Sequence, residues 1–255
     1  MTDPTERFSD RASDYVKARP SYPNEVLAIL RSTCGLTDRS LVADLGSGTG
    51  IFTRLLLETG ARVFAVEPND EMRGAAERDL GSNPRFTSVR GRAESTTLPA
   101  ASVDIATAAQ AFHWFDLEAT KRELHRIVRP GGHVALVWND RDVTSTPFLR
   151  DFEALLVAHC PKYPELQGKA NATAKFDAVF GAGRWKRSTV PNDQRLDREG
   201  LVARVMSASY APKAATPEHD AIVAALEKLH DRHAYEGSIR ITYLTVIVSG
   251  RMGAT

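Results

Sequence analysis

Cysteine is scarce in this chain. Its 255 residues include two, Cys34 and Cys160, with no CxxC pair or regular spacing. That pattern indicates neither a disulfide framework nor a thiolate metal centre, and it fits a reducing compartment. Long apolar runs are missing too: nothing approaches the ~18 consecutive apolar residues of a membrane span. The opening MTDPTERFSDRASDYVKARP lacks the apolar core of a signal peptide. The expectation is a cytoplasmic protein. An excess of one charge is also lacking, since 33 Lys and Arg face 32 Asp and Glu, for a net charge of +1 and a pI of about 7.8. Such a balance argues against nucleic acid and anionic membrane as partners. The seven histidines show no ligand spacing joined to a carboxylate or cysteine cluster, and although His230 and His233 stand three apart on a predicted helix, nothing completes a site, so no metal is expected. No internal repeat or low-complexity tract is present. What remains is an ordinary globular composition, 42% hydrophobic and 25% charged, long enough to bury a full core as one large domain with appended elements.

The order of hydrophobic runs is informative. Leu41 to Leu45 reads as a buried strand and Ile51 to Glu58 as a helix, with a tight glycine turn between them. Arg62 to Val66 is the next strand, Asp70 to Leu80 a polar helix, Arg85 to Val89 a third strand and Val103 to Ala108 a fourth. Leu117 to Val128 reads as an amphipathic helix stopped at Pro130-Gly131-Gly132, before a fifth strand at His133 to Trp138. Strands alternating with helices imply a parallel sheet covered on both faces. Beyond Trp138 the rhythm changes. Pro147 to His159, Arg198 to Ser207 and Glu218 to His233 read as helices, Trp185 to Val190 as a strand, and the β-branched IRITYLTVIV, Ile239 to Val248, as a long final strand.

The stretch LVADLGSGTGIFTRLLLETGARVFAVEPND, Leu41 to Asp70, carries the chemistry. Gly46, Gly48 and Gly50 follow a strand, where glycine permits positive φ and close backbone approach to a ligand. A triphosphate-binding loop needs GxxxxGK[ST], and no lysine follows Gly50. A dinucleotide fingerprint needs GxGxxG, and counting from Gly46 the sixth residue is Ile51 instead of glycine; nicotinamide chemistry is weakened and stays open. Glu67 ends the second strand 67 − 46 = 21 residues beyond the first glycine, where an acid can accept hydrogen bonds from both hydroxyls of an adenosine ribose.

At VADLGSGTG and VFAVEPNDEM the chain resembles the class I S-adenosylmethionine-dependent methyltransferases. The resemblance implies S-adenosylmethionine as cofactor, with the turn of Gly46, Ser47, Gly48 and Gly50 beneath its methionine portion and adenosine. It implies Glu67 and Pro68 at the ribose, Met72 against adenine and Asp44 toward the methionine end. In RGRAESTTLPAASVDIATAAQAFHWFD, Ala93 and Glu94 match the adenine-edge segment and Gln110 to Trp114 the loop near the transferring methyl. Arg92 departs from relatives that carry an acid there. The opening FSDRASDYVKARPSYP is similar to small-molecule methyltransferases of the trans-aconitate methyltransferase kind (type 11 group), which implies that Tyr15 and Arg19 fold over the cofactor.

The resemblance also implies a doubly wound α/β sheet of seven strands, ordered 3-2-1-4-5-7-6 with the last antiparallel. The expected organisation is a single methyltransferase domain over 1–255: a cap segment at 1–34, a cofactor-binding core at 35–140, a substrate-facing helical insertion with C-terminal elements at 141–238 and a final strand at 239–248. Methyl transfer from a sulfonium is an in-line displacement, so the protein must mainly align the nucleophile and exclude water. A carboxylate acceptor needs only positioning; a phenol or amine benefits from a base, for which His113 is the candidate. His113, Trp114 and Tyr210 are the expected acceptor contacts. The expected partner is a small molecule, the expected state monomer or homodimer. A nicotinamide-dependent oxidoreductase and a non-catalytic S-adenosylmethionine-binding regulator stand as alternatives.

Overall fold

The computed structural model describes residues 19–166 and 173–252. Tyr15 lies outside the described residues, as does the part of the cap segment before Arg19. Among the described residues the first helix is α1 (Glu25–Cys34), after which the chain alternates β1 (Leu41–Leu45), α2 (Ile51–Leu57), β2 (Arg62–Val66), α3 (Asp70–Leu80) and β3 (Phe86–Val89). Then come β4 (Val103–Ala109), a 3-10 turn (Phe112–Trp114), α4 (Leu117–Ile127) and β5 (Val128–Arg141). The remainder is α5 (Pro147–His159), α6 (Tyr163–Leu166), α7 (Thr173–Phe180), β6 (Trp185–Leu196), α8 (Arg198–Met206), α9 (Pro217–His233) and β7 (Ile239–Arg251).

The seven strands form one sheet in the order β3-β2-β1-β4-β5-β7-β6. β1 to β5 run parallel, and β7 is antiparallel to both β5 and β6. Because successive side chains of a strand leave opposite faces, each central strand feeds two cores. Ile105, Ala135, Val137 and Val42 join α1 and α2 on one face; Ala106, Leu136, Trp138 and Ala43 join α4 and α7 on the other. A third cluster lies beyond the sheet proper, where α5, α8 and α9 pack on Ile239, Ile241 and Tyr243 at the start of β7.

Helix starts follow side-chain chemistry. Asn69, Asp116, Thr146, Asp197 and Thr216 each accept a hydrogen bond from the backbone N–H three residues on. Three strands differ from the sequence reading. β5 begins at Val128, not His133: Val103 pairs with Val128 and Ile105 with His133, so Arg129 to Gly132, read as the stop of the preceding helix, form a bulge inside the strand. β6 continues past Pro191 to Leu196, an edge position that tolerates a residue without an N–H. β7 runs three residues beyond Val248. Among the described residues no helix is long and apolar enough to cross a membrane.

Candidate functional site

The β1–α2 turn sits at the carboxyl ends of the parallel strands, where the connections of an open α/β sheet diverge and ligands are held. Gly46 and Gly48 have φ of 65° and 57°, a region that side chains disfavour. A Cβ at Gly46 would lie 2.7 Å from that of Ala111, so the turn packs directly on the segment after β4. Gly50 also has a left-handed backbone, φ 86°, and its Cβ would in addition meet Leu80 Cδ1 at 2.7 Å, so this glycine both turns the chain and seats α2 against α3.

The turn is tied to the next strand. Gly46 N and Ser47 N both donate to Val66 O (2.9 and 3.1 Å). Gly48 N donates to Glu67 Oε2 and Asn69 N to Glu67 Oε1, each at 2.9 Å. The Glu67 carboxylate is thereby fixed from two sides, with lone pairs left on both oxygens. Burial raises its pKa, while those two N–H groups and Arg73 oppose the rise. Asp44 is more deeply enclosed: Thr53 Oγ1 donates to its Oδ2 (2.6 Å) and Thr107 Oγ1 to its Oδ1 (2.9 Å). Full burial pushes its pKa up to about 6 against the pull of those hydroxyls.

Between these groups opens a cavity of about 200 Å³. From the turn, Asp44, Gly46, Ser47, Gly48 and Thr49 line it; from the end of β2, Glu67, Pro68 and Asn69, with Met72 of α3. Arg92, Ala93 and Glu94 supply a third side, and Gln110, Ala111, Trp114 and Phe115 a fourth. Arg19 and Pro20 cover it from before α1. Two buried hydroxyls, Ser47 Oγ and Thr49 Oγ1, have no hydrogen-bond partner among the described residues, so the lining offers polar groups that a ligand could satisfy. Gln110 takes φ of 55°, uncommon for a residue with a side chain, held by its N–H to Val137 O (2.8 Å) and its amide to Asn139 O (3.3 Å).

Twelve of the expected site residues therefore meet in one cleft: Arg19, Asp44, Gly46, Ser47, Gly48 and Glu67, together with Pro68, Met72, Ala93, Glu94, Gln110 and Trp114. Gly50, His113 and Tyr210 are not among its lining. The His113 ring lies next to the lining, 4.9 Å from that of Trp114, with Nδ1 buried and unpartnered among the described residues. Burial first, then the charges of Lys175 and Arg19, depresses its pKa to about 4. Tyr210 packs edge-on against Tyr163 in the third cluster, ring centroids 4.9 Å apart. Sequence reasoning missed Tyr22, Thr49, Ile51, Phe52, Asn69, Asn139 and Arg204, all in the lining. Thr49, Ile51 and Phe52 adjoin the glycines and could have been read with them; Asn139 and Arg204 carry no local signal.

Acids and cations divide the cleft. Both oxygens of Asp44 and of Glu67 accept hydrogen bonds from the protein, and Glu94 Oε1 accepts from Asp116 N (2.9 Å). The cations are Arg92 beside Glu94 and, at the mouth formed by the pre-α1 segment, Arg19 and Arg204. Arg19 Nη2 donates to Ser207 O (2.8 Å), so the stretch closing α8 and the pre-α1 segment meet over the cleft.

A parallel sheet in this order with a reversed β7, and a turn and strand-end acid around a cleft at the switch point, define the class I methyltransferase fold. Residues 43–136 match the family described as methyltransferase domain, and the fold and the relatives of the chain are those of S-adenosylmethionine-dependent methyltransferases. It is 28% identical to an uncharacterised methyltransferase-like protein of Schizosaccharomyces pombe over 87% of this chain and 85% of that one. It is 39% identical to an uncharacterised methyltransferase of Mycobacterium tuberculosis over 53% of each, so this match spans about half of that relative's length. A solved structure from Anaeromyxobacter dehalogenans, provisionally described as a type II methyltransferase, superposes with a TM-score of 0.69 at 26% identity, over 91% of this chain and 97% of that one.

Proposed function

We propose that this cleft binds S-adenosylmethionine through the β1–α2 turn and Glu67, and directs its methyl group to a small, dissolved acceptor bearing a carboxylate. The observation that carries the binding mode is the clamp of Gly48 N and Asn69 N on Glu67, beside the unpartnered hydroxyls of Ser47 and Thr49. A carboxylate so oriented accepts both hydroxyls of a ribose while the turn lies under the rest of the nucleoside. Met72 and Ala93 supply apolar surface for adenine, with Glu94 at its edge. Asp44 and Arg19 oppose the ammonium and carboxylate of the methionine end, for which a guanidinium fork is well shaped. The core at 35–140 thus serves the cofactor and the elements at 141–238 the acceptor, in a cytoplasmic enzyme.

S-Adenosylmethionine, when bound, supplies an electrophilic methyl on a sulfonium. The protein's part is alignment and exclusion of water, with Trp114, Phe115 and Phe52 as apolar walls and aromatic faces suited to a cation. Support for an ionised acceptor comes from what the lining offers. Its acids are engaged within the protein, and His113, the nearest imidazole considered, lies outside the lining with a pKa near 4, which makes it a weak base. A carboxylate is already deprotonated at neutral pH, and Arg204 faces the cleft to pair with it.

Calorimetric titration with S-adenosylmethionine and S-adenosylhomocysteine, with NAD as the control, tests the cofactor reading: micromolar binding of the sulfur compounds alone is expected, and NAD binding in their place overturns it. A screen of small carboxylic acids for S-adenosylhomocysteine release then tests the acceptor. Methyl esters are base-labile, so methyl label that survives alkali on the product would refute carboxylate methylation.

A further inference from the structure

One wall of the cleft is held by a residue that does not touch it. Pro20 and Tyr22 line the cavity, and Tyr22 stands edge-on to Phe52, ring centroids 4.9 Å apart. Between them the Ser21 carbonyl receives two amide donors, Asn192 Nδ2 at 2.8 Å and Asn139 Nδ2 at 3.2 Å, which use both of its lone pairs. The two asparagines are also joined to each other. Asn139 Oδ1 accepts from Asn192 Nδ2 (3.2 Å) and from Thr245 Oγ1 (2.6 Å), and the Asn139 backbone carbonyl accepts from Gln110 Nε2 (3.3 Å). These residues come from adjacent strands: Asn139 on β5 pairs with Thr245 on β7, and Asn192 follows on β6 beyond. The sheet's outer strands thus present a row of polar side chains that grips one carbonyl of the pre-α1 segment.

We propose that Asn192 is a positioning residue for the cofactor cleft. It grips Ser21 and orients Asn139, so that Pro20, Tyr22 and Arg19 stay closed over bound ligand. The inference rests on reading the cleft as the S-adenosylmethionine site. Asn192 lies outside the lining, so its effect on affinity runs through Ser21 and Asn139 alone. The donor matters more than the shape. At Asn192→Asp a carboxylate of equal size would set an oxygen against Ser21 O and Asn139 Oδ1 where a donor stood, leaving Ser21 O to the longer bond from Asn139 Nδ2 alone, and the wall would be pushed outward.

The test uses the full chain and its Asn192→Ala, Asn192→Asp and Asn192→Ser variants, titrated with S-adenosylhomocysteine, with thermal melts and steady-state kinetics alongside. Net hydrogen-bond contributions in partly exposed sites correspond to roughly three- to tenfold in binding. Asn192→Ala is expected to raise the S-adenosylhomocysteine Kd by about that factor, Asn192→Asp by at least as much, and Asn192→Ser by less, since its hydroxyl can donate. KM for S-adenosylmethionine should rise more than kcat falls, and melting temperatures should stay within about 2 °C of the parent. Parental affinity in the Ala and Asp variants overturns the proposal, as does an Asp variant that binds like the parent while the Ala variant is weakened, which would make Asn192 a spacer. Affinity lost only in step with thermal stability also overturns it. Failure of the parent itself to bind S-adenosylhomocysteine is a different result: it removes the cofactor reading, and this inference with it.

Discussion

Two parts of one sheet face the same cleft by different means. On β1, β2 and β4 the site groups lie at strand ends or within the turns that follow: Asp44, the glycines, Glu67 and Gln110. From β5 onward they arrive singly from distant segments, with Asn139 on β5, Arg204 on α8 and the Asn192 grip on β6. The first part is a contiguous motif holding a nucleoside-sized shape; the second is an assembly whose members share only a tertiary position. The expected division of labour has the motif fix the cofactor, the Asn192 grip keep the cleft closed over it, and Arg204 face the acceptor. Substitutions should therefore separate cofactor binding from acceptor binding.

The largest effect belongs to the motif. Gly48→Asp sets a side chain in a left-handed backbone position and a second carboxylate beside Glu67, and S-adenosylhomocysteine affinity should fall by roughly a hundredfold or more. Glu67→Ala removes both acceptors for the ribose and should cost roughly a hundredfold. Intact affinity in both variants, measured by calorimetry, would break the assignment. Next is Arg204→Leu, which should raise the acceptor KM by roughly tenfold and leave the S-adenosylhomocysteine Kd unchanged. Loss of cofactor affinity there would erase the distinction between the two parts.

A fourth substitution should touch neither ligand. Arg126 and the N–H and hydroxyl of Thr96 hold the Glu123 pKa down to about 2, from an ordinary 4.5, against the opposing effect of burial. A depressed carboxylate pKa stabilises the fold above the unfolded value, and that stability is lost as pH falls from about 4.5 through about 2. With Arg126 half exposed the contribution is on the order of 1–2 kcal/mol. Glu123→Gln should flatten acid denaturation in that window and leave both binding constants as they were. The smallest effect is at Asp44. Its pKa is raised to about 6, so cofactor affinity should decline as pH falls through that value and the carboxylate is neutralised. Thr53→Val removes a donor that favours the ionised form, and the acid limb should move upward by less than about one pH unit. Calorimetry between pH 5 and 8 reads the shift.

Much of the first part was legible because its constraints are local. Apolar runs broken by glycines gave strands and helices close to those observed, and the interval from Gly46 to Glu67 is one strand-helix-strand unit whatever surrounds it. Even there the reading had limits. Gly50 stood in the motif, yet its bare Cα serves the packing of α2 on α3, which only the position of Leu80 reveals. His113 stood in the loop after β4, but the 3-10 turn sets its ring beside Trp114 and outside the lining. Asn192 lay in VPNDQRL, whose polarity hides a strand because an edge needs few apolar side chains.

The sequence by itself determined the alternating fold, the glycine turn, the strand-end acid and the class of ligand they suit, since each follows from backbone conformation and hydrophobic spacing over short distances. Only the tertiary structure decided which cations reach the mouth of the cleft, where the imidazole falls, and how three outer strands grip one carbonyl of the segment before α1. Those groups are far apart in the chain, Ser21 and Asn192 by 171 positions, and their meeting depends on the packing of the whole sheet, which no local pattern encodes.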